Sequence, residues 1–225
     1  MKRVNTILVL VAIVAGGIFS ARLSPEAAAQ DTTGAEAQMV AFDVAENGTR
    51  LAFDPSFADD GGLAMRGAAF VTEGYIYPAG TLTDSNGVLE DGSPEFLGLV
   101  IGKWMSRGWV TEDFANATTG PFLATQHLYT FGTGMGSFTF VSDGEELIDP
   151  GVAITRPITG GSGPLSSSGG QIDQTLLGFN ATQGLNLHFE ARLTFVEAGV
   201  DLNTLLTPTP QMGTPVAEVA ATPAG

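Results

Sequence analysis

The chain has 225 residues, a formal charge of −15, thirty glycines, twelve prolines and no cysteine. The lack of cysteine excludes disulfides, thiolate chemistry and cysteine-based zinc sites. With only nine Lys and Arg residues against 24 Asp and Glu, a surface that tracks phosphates is excluded as well, so no nucleic-acid partner is expected.

In chain order, the first element is an export signal. Lys2 and Arg3 form a positive n-region, Ile7 to Phe19 an apolar h-region, and Ala27-Ala28-Ala29 a small-residue cleavage pattern, with Ala35-Glu36-Ala37 as a second possible site. An uncleaved anchor is the alternative reading, weakened by Gly16-Gly17 and Ser20, because a spanning helix wants ~20 apolar residues. The expected organisation is a signal peptide over 1–29, a flexible mature N-terminus over 30–37, a β-domain over 38–197 and a Thr/Pro/Ala-rich disordered tail over 198–225. Cleavage removes three cations and one anion and leaves −17. A secreted bacterial protein with no stable membrane span after signal cleavage is the address this predicts.

Between signal and tail, alternation of period two dominates. Strands are predicted at Met39–Val44, Ala68–Tyr77, Phe96–Thr111, Phe122–Phe131, Ser137–Ser142, Val152–Ile158, Gln171–Leu177 and Leu185–Val196. Within the third, Gly98, Gly102 and Gly108 suggest bulges or bends. Asn86-Gly87, Asp91-Gly92 and Asp143-Gly144 supply turn residues that tolerate positive φ. In the last strand Leu185, Leu187, Phe189, Ala191, Leu193 and Phe195 share one face, and Asn186, His188, Glu190, Arg192 and Thr194 share the other. Many short strands with glycine-rich turns fit a sandwich or a closed barrel, and periodicity does not separate the two.

Gly136-Ser137-Phe138-Thr139-Phe140, Arg156-Pro157-Ile158-Thr159-Gly160-Gly161-Ser162-Gly163, Gly169-Gly170-Gln171-Ile172 and Leu187-His188-Phe189-Glu190-Ala191 follow one another in an order that resembles the C-terminal half of the allene oxide cyclase and dirigent barrels. Upstream, Gly74 to Thr81 and Ile101-Gly102-Lys103-Trp104 resemble segments of secreted bacterial proteins carrying this domain. The resemblance implies an all-β fold, an eight-stranded antiparallel β-barrel, with a lumen that holds a hydrophobic small molecule, and assembly as a homo-oligomer, trimer or dimer. The cyclases place a buried glutamate and a cysteine near their substrate. This chain has no cysteine, and the Asp and Arg contexts of dirigent proteins are not found, so no catalytic residue carries over.

The residues themselves offer Glu73, Arg107 and His127 as catalytic candidates. Glu73 shares a face with Val71, Tyr75 and Tyr77, and among apolar neighbours its pKa would rise; on a wet face it is an ordinary solvated glutamate. Arg107 shares a face with Lys103, Met105 and Trp109, and becomes a lumen cation only if that face points inward. His127 lies among Leu123, Thr125, Tyr129 and Phe131, where a structural hydrogen-bonded histidine is the competing reading. Tyr75, Tyr77, Trp109 and Tyr129 are the expected ligand-contacting aromatics. No GxSxG, P-loop or HExxH motif occurs, so no cofactor and no metal is expected. Asp84 to Asp91 reads as a hairpin turn rather than a calcium loop, and the sequons at Asn47, Asn116 and Asn180 as chance matches. Three functions fit: a barrel that binds a hydrophobic molecule and steers its stereochemistry, an isomerase or cyclase acting on an oxidised lipid or phenolic, or a non-catalytic structural or cell-surface barrel.

Overall fold

The computed structural model describes residues 37–132 and 137–207. The expected signal peptide, residues 30–36, Gly134 to Gly136 and the tail from residue 208 lie outside the described residues.

Nine strands run in order: β1 (Gln38–Glu46), β2 (Ala52–Phe53), β3 (Ala69–Pro78), β4 (Gly102–Val110), β5 (Pro121–Phe131), β6 (Phe138–Leu147), β7 (Ala153–Gly161), β8 (Gly169–Phe179) and β9 (Leu185–Thr194). Each of β3 to β8 pairs antiparallel with the next. β1 pairs with β9 on one side, Phe42 opposite Phe189, and with β3 on the other, Val44 opposite Ile76. That second pairing closes eight strands into an antiparallel barrel, as the sequence predicts, and removes the sheet edges. β2 is a two-residue addition to the end of β3 that β1 leaves uncovered.

The alternating residues of each strand decide the interior. Phe42, Tyr129, Phe131, Phe140 and Phe189 fill one half of it, with Phe42 touching the four other rings at centroid distances of 5.3 to 6.1 Å. This half is packed solid, and its burial supplies the main driving force for closure.

Four features depart from the sequence reading. The run Phe96–Thr111 is not one strand: Leu97–Leu99 forms a 3-10 turn and β4 starts at Gly102. Gly102 and Gly108 are not bulges either, since β4 keeps unbroken register with β5. They are positions where a Cβ would fall 2.3 Å from the Thr130 carbonyl and 2.1 Å from the Ala124 carbonyl, so the strands coil there only because the side chain is absent. Phe195 leaves the inner face of the last strand: its φ of 57° ends β9 and turns the ring outward. The β-domain also extends beyond residue 197. Leu202 and Leu206 are buried around a short helix, α1 (Leu202–Leu205), anchored to β1 by the Gln38 side chain, which donates to the Val200 carbonyl and accepts from the Leu202 N–H.

The connection from β3 to β4 folds back on the outside of the wall. Tyr77, Ala45, Leu82 and Val88 form a second small core there. Asp43, buried beneath it, accepts from the Leu82 N–H at 2.9 Å and pairs with His188 Nδ1 at 2.7 Å. The hydrogen bond to Asp43 outweighs burial and raises the His188 pKa.

The coiling glycines give a direct test. Gly108→Ala should destabilise the protein by about 2 kcal/mol or more, because the backbone of β5 must retreat. Gly98→Ala, with open space at its Cβ, should stay within about 0.5 kcal/mol of wild type in urea denaturation.

Candidate functional site in the upper barrel

Alternation places Phe70, Thr72, Gly74 and Ile76 of β3 inside, so Glu73, Tyr75 and Tyr77 face outward. Glu73 is exposed and lies 3.7 Å from Arg50. Tyr75 and Tyr77 are covered by the β3–β4 connection, to whose carbonyls at Gly92 and Gly87 their hydroxyls donate. In β4, Trp104, Ser106 and Val110 point in; Arg107 and Trp109 point out, Trp109 being 62% exposed and Arg107 donating to Gln126. The glycines at 102 and 108 hold inner positions and thereby fix that phase. Of the candidates read from the sequence, only His127 and Tyr129 reach the interior, where the structure brings them together.

They belong to a buried polar belt above the packed aromatic half. Glu146 of β6 and Arg156 of β7 are its charges, and neither was among the sequence candidates. His127 Nε2 lies 2.9 Å from Glu146 Oε1, and His127 Nδ1 lies 3.0 Å from the Tyr129 hydroxyl. Arg156 donates from Nε to Ser142 Oγ, from Nη1 to the Glu145 carbonyl, and from Nη2 to the Thr125 carbonyl and hydroxyl. Gln174 donates to Glu146 Oε2 at 3.4 Å.

The charge states follow from these contacts. Burial, then the Arg156 guanidinium, pushes the His127 pKa down to about 4 against the pull of Glu146, so the imidazole is neutral near pH 7. Burial would raise Glu146, but His127, Arg156 and Thr125 together hold its carboxyl below the ordinary range, leaving it ionised. The His127–Glu146 contact is therefore a hydrogen bond from neutral Nε2–H to a carboxylate, not an ion pair. Nδ1 is then left to accept from the Tyr129 hydroxyl. Burial also raises the Tyr129 pKa, keeping that donor protonated. His127, Tyr129, Glu146 and Arg156 each have a directed role, which makes them a fixed scaffold.

Above the belt the barrel opens into a cavity of about 500 Å³, lined by Phe70, Phe122, Leu123, Phe179 and Leu185, with the carboxyl of Glu46 among them. Glu46 ends β1 on the inner face, following Val40, Phe42 and Val44. Burial raises its pKa to about 7, offset in part by the Leu185 N–H, which donates to Oε2 at 2.9 Å. The Thr72 hydroxyl also lowers it, although it lies outside good hydrogen-bonding geometry. Glu46 is thus the one interior carboxyl in the described residues that holds a proton near neutrality and lines the cavity, the combination general acid–base work requires. Two further depressions, of about 290 and 660 Å³, lie around Lys103 and Arg107. Among the described residues no group of three or more His, Asp or Glu side chains could hold a metal ion.

The fold is thus a closed eight-stranded antiparallel barrel with an apolar mouth over a polar belt. Its fold is similar to that of a pterocarpan synthase dirigent protein, with a TM-score of 0.54 and 13% identity over 73% of this chain and 97% of that one. A second pterocarpan synthase dirigent protein aligns with a TM-score of 0.49 and 12% identity, over 79% and 98% of the two chains. A pyocyanin demethylase aligns with a TM-score of 0.41 and 16% identity, over 70% and 100%. No family model and no curated protein sequence matches the chain.

The two shifted interior groups oppose each other in pH. Glu46 ionises more readily in the unfolded chain, so its contribution is lost as pH rises from 4.5 to about 7. His127 protonates more readily in the unfolded chain, so its contribution is lost as pH falls from 6.5 to about 4. Glu46→Gln should therefore be more stable than wild type at pH 8, by on the order of 3 kcal/mol. The gap should close towards pH 4, measured by thermal unfolding across the range.

Proposed function

We propose that the protein binds a hydrophobic small molecule in the mouth of the barrel, with Glu46 as its polar contact. The observation that carries this reading is the cavity of about 500 Å³ with apolar walls and a single acidic residue, Glu46, in its lining, whose pKa burial raises to about 7. Its volume suits a small ligand enclosed by predominantly aliphatic and aromatic walls. The ligand occupies the mouth and not the whole lumen, because the aromatic half below the belt leaves it no space. Holding one molecule in one orientation against a fixed polar group is also what steering of stereochemistry needs, the role implied by the word dirigent in the name of the structural relative.

An isomerase or cyclase reading rests on Glu46 rather than on Glu73 or Arg107, which face solvent. The purely structural reading is favoured by the packed lower half, and the mouth cavity weighs against it. Export and self-association complete the proposal. A second copy would attach at the outer face of β3 and β4, where Val71, Met105 and Trp109 are exposed beside Arg107 and Glu73.

Native mass spectrometry of protein taken from its own secreted fraction should show a reproducible small-mass adduct. Leu123→Trp, which fills the cavity from β5, should abolish the adduct while the far-UV circular dichroism stays that of a β-protein. Bare wild-type protein, with no uptake from a panel of apolar compounds, would overturn the binding reading.

A further inference from the structure

The lining of the mouth cavity is one-sided in its charge. Among the described residues there, Glu46 is the sole ionisable side chain, and no Lys, Arg or His stands beside it. Phe70, Phe114, Phe122 and Phe179 supply aromatic wall. Two other polar side chains line the space. The Thr182 hydroxyl is engaged within the protein, donating to Asn180 Oδ1 at 2.7 Å and accepting from the Gly48 N–H at 2.8 Å. Gln183 is exposed, which leaves Glu46 as the buried polar side chain of the lining. Its carboxyl takes the Leu185 N–H on Oε2, and an ionised carboxylate has about four acceptor sites, so capacity for a further donor remains. The sequence neighbours of the lining tilt the same way. Asp113 and Asp149 adjoin Phe114 and Ile148, whereas the one cation so placed among the described residues, Arg50 beside Leu51, lies 3.7 Å from Glu73.

Ligands of different charge meet this lining differently. A carboxylate would leave water for a site with no cation and an acidic group already present. A neutral molecule would find apolar walls and one hydrogen-bonding partner. An ammonium would find the same walls, the negative faces of phenylalanine rings and a carboxyl whose burial is already part of the folded state. Glu146, the charged group that acts on Glu46, is negative and adds to the effect of burial. A cation at Glu46 relieves both, so its binding and the ionisation of Glu46 favour each other. The formal charge of −15 further concentrates cations over anions around the chain.

We infer that the mouth selects an apolar amine, a hydrophobic body carrying one ammonium group that pairs with Glu46, and rejects carboxylates. The inference rests on the mouth-binding reading above and deepens it by naming the ligand class.

The test uses three probes on one aromatic frame: 2-(2-naphthyl)ethylamine, 2-(2-naphthyl)ethanol and 2-naphthylacetate. Their binding to the full chain is measured by ligand-observed NMR titration at pH 8, where Glu46 is ionised. Salt at ~0.5 M screens attraction to the acidic surface and acts much less on a buried pair. The amine should bind about fivefold or more tighter than the alcohol, with the acetate weakest. Glu46→Gln keeps the shape and removes the charge, and should bring amine and alcohol to within about twofold of each other. The wild-type ranking stands as a test by itself if that variant fails to fold. An alcohol bound as tightly as the amine, an acetate bound tightest, or an amine preference that survives in Glu46→Gln would overturn the inference alone. No binding of any of the three would overturn the mouth-binding reading, and the inference with it.

Discussion

The interior of this barrel depends on compensating one buried negative charge. Glu146 stands inside the wall of β6, where an unpaired carboxylate would cost several kcal/mol. Arg156, reaching over from β7, supplies the opposite charge without touching it directly, and Thr125 and His127 carry the hydrogen bonds between them. The guanidinium ties β7 to carbonyls of β5 and β6, so the belt fixes the curvature of three neighbouring strands as well as the charge state of the lumen. A barrel of eight strands can be filled by side chains alone. Here a belt of fixed polar groups divides the lumen into a packed lower half and an open mouth.

That division explains why the protonated carboxyl belongs to the upper half. Arg156 is not among the groups that act on Glu46, and the Leu185 N–H and Thr72 hydroxyl offset burial only in part, so burial dominates its ionisation. His127, which looks like the catalytic group in sequence, is neutral and held on both nitrogens. The structure thus puts the interior carboxyl of raised pKa at the end of β1, and leaves Glu73 and Arg107, the candidates the sequence offers, on the outer face.

Much of the architecture was legible in the chain. Alternation over β1, β3, β5, β8 and β9 located those strands to within a few residues, and the family resemblance chose a barrel over a sandwich. The site was less legible for a definable reason. Which face of a strand points inward is a property of closure, and Tyr77 shows the difficulty: it is fully buried, yet outside the lumen, because the β3–β4 connection covers it. A stricter use of alternation would have found the belt. Glu46 continues Val40, Phe42 and Val44; Glu146 continues Phe138, Phe140 and Ser142; and Arg156 falls between Ile154 and Ile158, each a charge on an otherwise apolar stripe. The unpartnered Trp104 and Ser106 had no such signal, since satisfaction of a hydrogen bond is a matter of three-dimensional neighbours.

The state of His127 tests this account most directly, and the chain has only two histidines to distinguish. A nitrogen-15 NMR titration of the ring-labelled protein should show one imidazole as the neutral Nε2–H tautomer from pH 8 to pH 5, taking a proton only near pH 4. His188 should titrate above the ordinary histidine value. An interior histidine that protonates near 6.5, or one that carries its proton on Nδ1, would contradict an ionised Glu146 held by the belt.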